Sequence, residues 1–365
     1  MAANGEKDAE VKLELPTHGA STLPSVVVDS YNLEARDDDG FIGDKACKSA
    51  FWEFVEKWRQ PLRDTGDDPF GKVATEDLSK KQLAEELEDG DPEAAGLVQS
   101  AIEDYAQQFA SVIRRFLKLK PWRDTECIVV GGGFRGSRVG ELAIGRTAML
   151  LKADKINVGL ELIHNKPDDA GLIGSAHLLP PWMLKGHDAM LTVDIGGTNI
   201  RVGTIALNLS KSPDLMKAKV VNSEIWCHAE KDVDRERALK KLATLLNNQL
   251  EWASKEKLTL APVIGFGCPG IIEEDGAIDR GGQNLPGNWS AKGFHLPKMI
   301  QSEIPQIQDA ETLVVMHNDA VVQGLSELPY MQEVEHWAVL TIGTGLGNAR
   351  FTNRASRKKI RQERA

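Results

Sequence analysis

The chain has 365 residues, of which 41% are hydrophobic and 27% charged, with a formal net charge of −10 and a pI near 5.4. That length suits two domains or two lobes around a cleft with a real core, and the acidic balance argues against nucleic acid as a partner. Cys47, Cys127, Cys227 and Cys268 stand far apart without C-x-x-C spacing, which argues against zinc sites and disulfide frameworks and fits reduced thiols.

The start, MAANGEKDAE, carries no apolar signal segment, and no apolar run approaches the length of a membrane span, so the expected location is the cytoplasm with no membrane association. Residues 1 to about 20 are polar and expected to be disordered. CKSAFWEFVEKW (47–58) reads as a helix, and 64–92 as a charged, Gly- and Pro-containing loop with a short helix. From 93 to 118, Val98, Ile102, Tyr105, Phe109, Val112 and Phe116 recur at steps of three and four, a helical stripe that is either core or a homodimer face. Strand ECIVV, turn GGGFRGS, helix RVGELAIGRTAMLL and strand INVGLELI follow, then a short helix DDAGLIGSAHLL.

LTVDI and RVGTIAL are expected to pair as a ribbon around two glycines. A long helix covers 234–256, strand PVIGFGCPG leads into the turn-rich IIEEDGAIDRGGQNLPGNW, and strand TLVVMHND enters the helix AVVQGLSEL. WAVLTIGTG closes the ordered part, and the basic end RFTNRASRKKIRQERA reads as a solvated tail. The class is α/β with mixed sheets.

Three glycine segments invite chemistry. Gly131, Gly133 and Gly136 spell G-x-G-x-x-G between a strand and a helix, with Glu161 on the next strand; a dinucleotide site and another close backbone approach both fit. No P-loop pattern exists. In DIGGTNIR (194–201), Asp194 just ahead of Gly196 and Gly197 can hold Mg²⁺ through water while the glycine amides approach phosphate oxygens, and Thr198 adds a hydroxyl. IGTGLG offers Gly343, Thr344 and Gly345 for the same purpose; the alternative is two tight turns needing positive φ. HNDA (317–320) puts Asn318 and Asp319 where a strand meets a helix, as an N-cap or as a general base with a substrate-orienting amide.

Together DIGGTNIR, GFGCPGIIEEDGAI (265–278), QNLPGNW (283–289), HNDA and TIGTGLG (341–347) resemble the ROK family of sugar kinases and repressors, within the actin-like ATPase and sugar kinase superfamily. Segments similar to the family's closing part, GDPEAAGLVQSAIEDYAQQFASVIRRFLKL (90–119), CIVVGGGFRGS (127–137) and DDAGLIGSAHLLPPW (168–182), here precede DIGGT. The resemblance, over roughly residues 40–352, therefore implies a two-lobed actin-like (ribonuclease H-like) α/β fold in circularly permuted order. It implies a disordered tail over 1–20, a larger adenosine-binding lobe over 21–185 and a smaller lobe over 186–316. A return to the larger lobe over 317–352 and a basic tail over 353–365 complete the division.

The implied activity is glucokinase-like: ATP- and Mg²⁺-dependent phosphoryl transfer to a sugar hydroxyl. Asp319 would be the base, Asn318 and Asn284 sugar ligands, and Asp194 the Mg²⁺ holder. Gly196, Gly197, Thr198, Gly343, Thr344 and Gly345 would take phosphates, and Gly131, Gly132 and Gly133 would lie under the adenosine. The family's cysteine-rich zinc motif is missing, so no zinc is expected; the E-x-G-H sugar segment is missing too, with Asp44 as its nearest acid. No winged-helix segment is visible, which disfavours a repressor. The second implied reading is a sugar- or nucleotide-binding sensor with weakened catalysis, and ATP and polyphosphate both stay open as donor.

Overall fold

The computed structural model describes residues 15–38, 40–229 and 233–354; most of the expected N-terminal tail and the basic end 355–365 lie outside the described residues. Two five-stranded mixed sheets form the frame. The central sheet is built from Ala189–Ile195, Asn199–Ala206, Lys219–Cys227, Leu260–Cys268 and Leu313–Asn318. Numbered in that order, its strands lie 3-2-1-4-5, with antiparallel pairs 1–2 and 2–3 and parallel pairs 1–4 and 4–5. LTVDI and RVGTIAL do form the expected ribbon, Asp194 opposite Arg201.

The terminal sheet is built from His336–Ile342, Leu346–Asn353, Val26–Tyr31, Cys127–Gly131 and Gly159–Leu162. Taken in that order it repeats the 3-2-1-4-5 arrangement and the same strand directions. Its third strand comes from the other end of the chain: Val26 pairs with Asn353, and the Arg354 amide donates to the Ser25 carbonyl at 3.0 Å.

Alternation along the strands divides the core into three layers, because successive side chains face opposite sides of a sheet. Ile128, Val130, Ala338 and Leu340 meet the helices Lys48–Thr65, Pro92–Lys118 and Arg138–Ala153 on the outer face of the terminal sheet. Leu191, Val193, Ile264 and Phe266 meet the helices Arg235–Lys255 and Leu296–Glu303 on the outer face of the central sheet. Val129, Val339, Met190 and Val263 point the other way, into a middle layer with the short helices Pro167–Gly174 and Asp319–Leu325. The stripe from Val98 to Phe116 is buried in the terminal lobe, so it is core and not a dimer face.

Glycine lets the middle helices touch. A β-carbon on Gly174 would lie 1.8 Å from the Val322 carbonyl oxygen, and one on Gly171 only 2.5 Å from Asp194 Cγ. Two expectations are corrected here. Residues 350–353, read as the start of a solvated basic tail, belong to the strand Leu346–Asn353, where Phe351 is fully buried. Residues 18–20, assigned to a disordered tail, run along the edge strand Leu313–Asn318: the Gly19 amide donates to Met316 O, and the Met316 amide donates to His18 Nδ1. An open strand edge is a row of unpaired backbone groups, and this segment satisfies part of it.

Candidate active site

Parallel pairing delivers two acids to one place. Asp194 ends its strand opposite Gly267, and the strand on the far side of Gly267 runs directly into Asp319. A β-carbon at Gly267 would lie 3.5 Å from both Asp194 Oδ1 and Asp319 Cα, so the missing side chain leaves room between the Asp194 carboxyl and the start of the Asp319 helix. Asp194 is only 2% exposed, and Arg201 donates to its Oδ2 at 3.4 Å while also bonding Asp168. Burial pushes the Asp194 carboxyl up and the Arg201 charge pulls it back. Half-buried Asp319 is pushed up to about 7, first by burial and then by the charge of Asp194.

Each glycine loop is the hairpin between the first two strands of its sheet. The Gly196 amide donates to Asn199 O at 2.8 Å, and the Gly343 amide to Gly345 O at 2.9 Å. The loops meet across the lobes, with Thr198 Oγ1 and Thr344 Oγ1 3.1 Å apart. A β-carbon on Gly197 would sit 3.2 Å from Asn284 Cβ and 3.6 Å from Thr344 Oγ1. Neither Gly196 and Gly197 nor Gly343 and Gly345 adopt positive φ, so tight-turn strain is not what calls for glycine in these loops. Nothing stands within 4 Å of a β-carbon at Gly345, and glycine there leaves its amide open to approach.

The GGG loop joins the same neighbourhood. Gly132 has φ +84°, and a β-carbon there would lie 2.5 Å from Ile342 O, at the root of the second hairpin. Positive φ and close approach to a neighbouring strand explain this glycine without a dinucleotide. Glu161 bonds the Cys127 thiol, which burial above all pushes up to about 12; such a thiol is inert at neutral pH.

Asn318 is engaged within the protein. Its Oδ1 accepts from the Ala320 and Val321 amides, its Nδ2 donates to Gly270 O, and it is 2% exposed. The side chain caps the Asp319–Leu325 helix and pins the 268–270 turn, which uses its Oδ1 and one Nδ2 N–H. Asn284 is exposed beside Gly197, and Asp44 is exposed in the short turn Ile42–Ala46.

Several neighbours carried no motif. His228 bonds the Gly196 carbonyl through Nε2 at 2.9 Å and donates its amide to Thr198 O, clamping the first loop from outside the DIGGT segment. A groove of about 1030 Å³ opens at Thr344, with Lys48, Trp52, Glu53, Leu78 and Lys80 among its walls. Only Arg201, inside DIGGTNIR, and Asp168, opening the DDAG helix, stood in segments the sequence had marked.

Among the described residues no group of three or more His, Cys, Asp or Glu side chains is placed to hold a metal, and no helix is long and apolar enough to cross a membrane. The Asp194–Asp319 pair nevertheless suits Mg²⁺, which commonly takes one or two carboxylates and completes its shell with water and phosphate. A cation there would also offset the repulsion that raises Asp319.

No protein-family model and no curated protein matches the chain. Among solved structures it is similar to the Lmo2764 protein of Listeria monocytogenes, named as a candidate N-acetylmannosamine kinase, at 20% identity and TM-score 0.33 over 46% of this chain and 48% of that one. It is also similar to a ROK hexokinase from Thermus thermophilus, at 20% identity and TM-score 0.30 over 44% and 45%. An exopolyphosphatase from Cytophaga hutchinsonii stands at 14% identity and TM-score 0.26 over 47% and 52%. The chain thus spans about half the length of each of these structures.

Proposed function

We propose that this chain is a ROK-type kinase, transferring the terminal phosphoryl group of ATP to a sugar hydroxyl, on an actin-like frame in circularly permuted order. One observation carries the reading: glycine loops from two lobes meet at Thr198 and Thr344, and two acids flank Gly267 at the foot of the first loop. The repeated strand order, with Ser25 and Arg354 side by side, supports the permuted frame.

In this reading Asp319 accepts the proton of the attacking hydroxyl; a carboxyl poised near 7 is matched to that task. Asn318 holds Asp319 in place through the helix cap, and Asn284 hydrogen-bonds the sugar. Amides of Gly196, Gly197, Gly343 and Gly345, with the hydroxyls of Thr198 and Thr344, hold the phosphates, and Gly131 to Gly133 support the adenosine. Asp194 would hold Mg²⁺ through water; when bound, the ion supplies charge neutralisation at the phosphates. Closing the two lobes excludes water and limits idle ATP hydrolysis. The cytoplasm, where ATP is abundant, is the proposed location.

A second reading, a sugar- or nucleotide-binding sensor, draws on the commitment of the Asn318 amide and the missing E-x-G-H segment. Measuring ADP release with Mg²⁺ and ATP over a panel of hexoses, acetylated amino sugars and sugar acids separates the two. Sugar-stimulated ADP formation supports the kinase. A silent panel alongside measurable sugar or ATP binding transfers the assignment to the sensor.

A further inference from the structure

Neither glycine loop carries a free cation. Arg201, the one basic side chain in DIGGTNIR, is engaged by Asp194 and Asp168. A nucleotide's phosphates would therefore meet amides and hydroxyls alone unless charge arrives from elsewhere. Two helix starts supply it. Lys48 opens the helix Lys48–Thr65, whose N-terminus has no side-chain cap and no acid in its first turn, and its amide donates to Gly343 O at 3.0 Å. Lys80 opens the helix Lys80–Asp89, and its ammonium donates to Gly133 O. Both lysines line the groove at Thr344, and among the described residues neither has a carboxylate within ion-pair distance. Burial, then the charge of Lys48, makes the Lys80 ammonium easier to deprotonate. Lys48 is exposed and Lys80 half-buried, and although the charge of Asp168 partly offsets their repulsion, an anion between the two lysines would relieve it.

Charge is graded along the groove. Trp52 lies four residues beyond Lys48 on the same helix, about 6 Å along it, and Glu56 about 12 Å along it. Glu53 and Glu76 make the far part acidic, whereas Glu56 is paired with Arg63 and Lys57, also on the wall, with Asp104. An uncharged base fits against Trp52 and Leu78, whereas a linear polyanion would run into the carboxylates.

We propose that Lys80, together with Lys48, clamps the donor phosphates, and that the charge gradient of the groove admits a nucleoside triphosphate in preference to polyphosphate. The inference deepens the kinase reading and rests on it for the identity of the glycine loops. Isothermal titration of the full chain with Mg²⁺-ATP, without sugar, tests it. Loss of one charge-assisted hydrogen bond predicts that Lys80→Met weakens ATP binding roughly tenfold to a hundredfold. Lys48→Met/Lys80→Met should weaken it further. Lys80→Arg, which keeps the charge, should stay near the wild type, as should Lys81→Met on the neighbouring turn. Long-chain polyphosphate should displace ATP only at far higher phosphate concentration. ATP binding unchanged by Lys80→Met, polyphosphate binding tighter than ATP, or no ATP binding by the wild type would each overturn the clamp. Lysine-dependent ATP binding without sugar-stimulated turnover leaves the clamp standing and sinks the kinase. Sugar-stimulated turnover with an unaltered KM for ATP in Lys80→Met does the reverse.

Discussion

The two sheets share strand order and direction, yet chemistry is distributed unequally between them. At the first hairpin the central sheet reads TVDIGGT and the terminal sheet LTIGTG, so Asp194 stands near the turn in one lobe and Thr341 in the other. The fifth strands also differ at their ends. In the central lobe Asn318 caps a helix that opens with Asp319, poised near 7. In the terminal lobe the corresponding helix opens at Pro167 with no side-chain cap, and its Asp168 is neutralised by Arg201. Asp194 and Asp319 belong to one lobe and the two groove lysines to the other, while each lobe contributes a hydroxyl and glycine amides through its hairpin. One scaffold used twice thus carries the two acids on one side and the two groove lysines on the other.

The contrast breaks most severely at the base. Asp319→Asn should lower kcat by at least about a hundredfold while ATP still binds, since that is what loss of a general base costs; sugar-dependent turnover at the wild-type rate would remove Asp319 from the role. The next largest effect lies where the lobes touch. Gly174→Ala drives a methyl group into the Val322 carbonyl and should cost about 1–3 kcal/mol of stability, read as a fall in Tm of several degrees. A Tm equal to the wild type would mean that the middle helices are not tightly opposed.

A smaller effect concerns pH. Burial lowers the pKa of His177, beside the interlobe cavity, from 6.5 to about 4, against a weaker upward pull from Asp214. Below 6.5 the unfolded chain takes up a proton that folded His177 refuses, so its contribution is complete above 6.5 and is lost as pH falls toward 4. His177→Gln should therefore flatten the acid side of the stability curve by at most about 1.4 kcal/mol per pH unit. Asp319 and Asp194, raised in the folded state, act with the opposite sign but are common to both proteins in that comparison. Smallest of all should be the effect of moving the chain ends. Joining residue 354 to residue 15 by a linker long enough to leave residues 18–20 on the Leu313–Asn318 edge, and reopening the chain at the exposed turn Lys185–Gly186, should leave Tm within a few degrees, because surface turns tolerate new ends. Failure of that protein to fold would show that the present cut is needed for assembly.

Much of the fold was legible because it is local. Helical stripes such as Val98 to Phe116 and the hairpin around Gly196 and Gly197 depend on residues close in sequence, and the structure contains both. The site was legible only in part. Asn318 allowed two uses, and only the positions of the Ala320 and Val321 amides and of Gly270 show its amide occupied. Lys48, Lys80 and His228 lie in segments without recognisable punctuation, where nothing nearby in sequence marks their approach to a glycine loop. The tail estimate at 1–20 ran too long because polarity does not reveal a strand edge waiting elsewhere to be covered.

By itself, the sequence determined the α/β alternation and the hairpin around Gly196 and Gly197, since side-chain period and turn chemistry act over a few residues. Tertiary structure alone decided that Thr198 meets Thr344, that Asp194 and Asp319 share Gly267, and that Val26 closes a sheet with Asn353. Such contacts join residues up to 327 positions apart (353 minus 26). Their formation depends on burying complementary surfaces from distant segments, which no local pattern in the chain encodes.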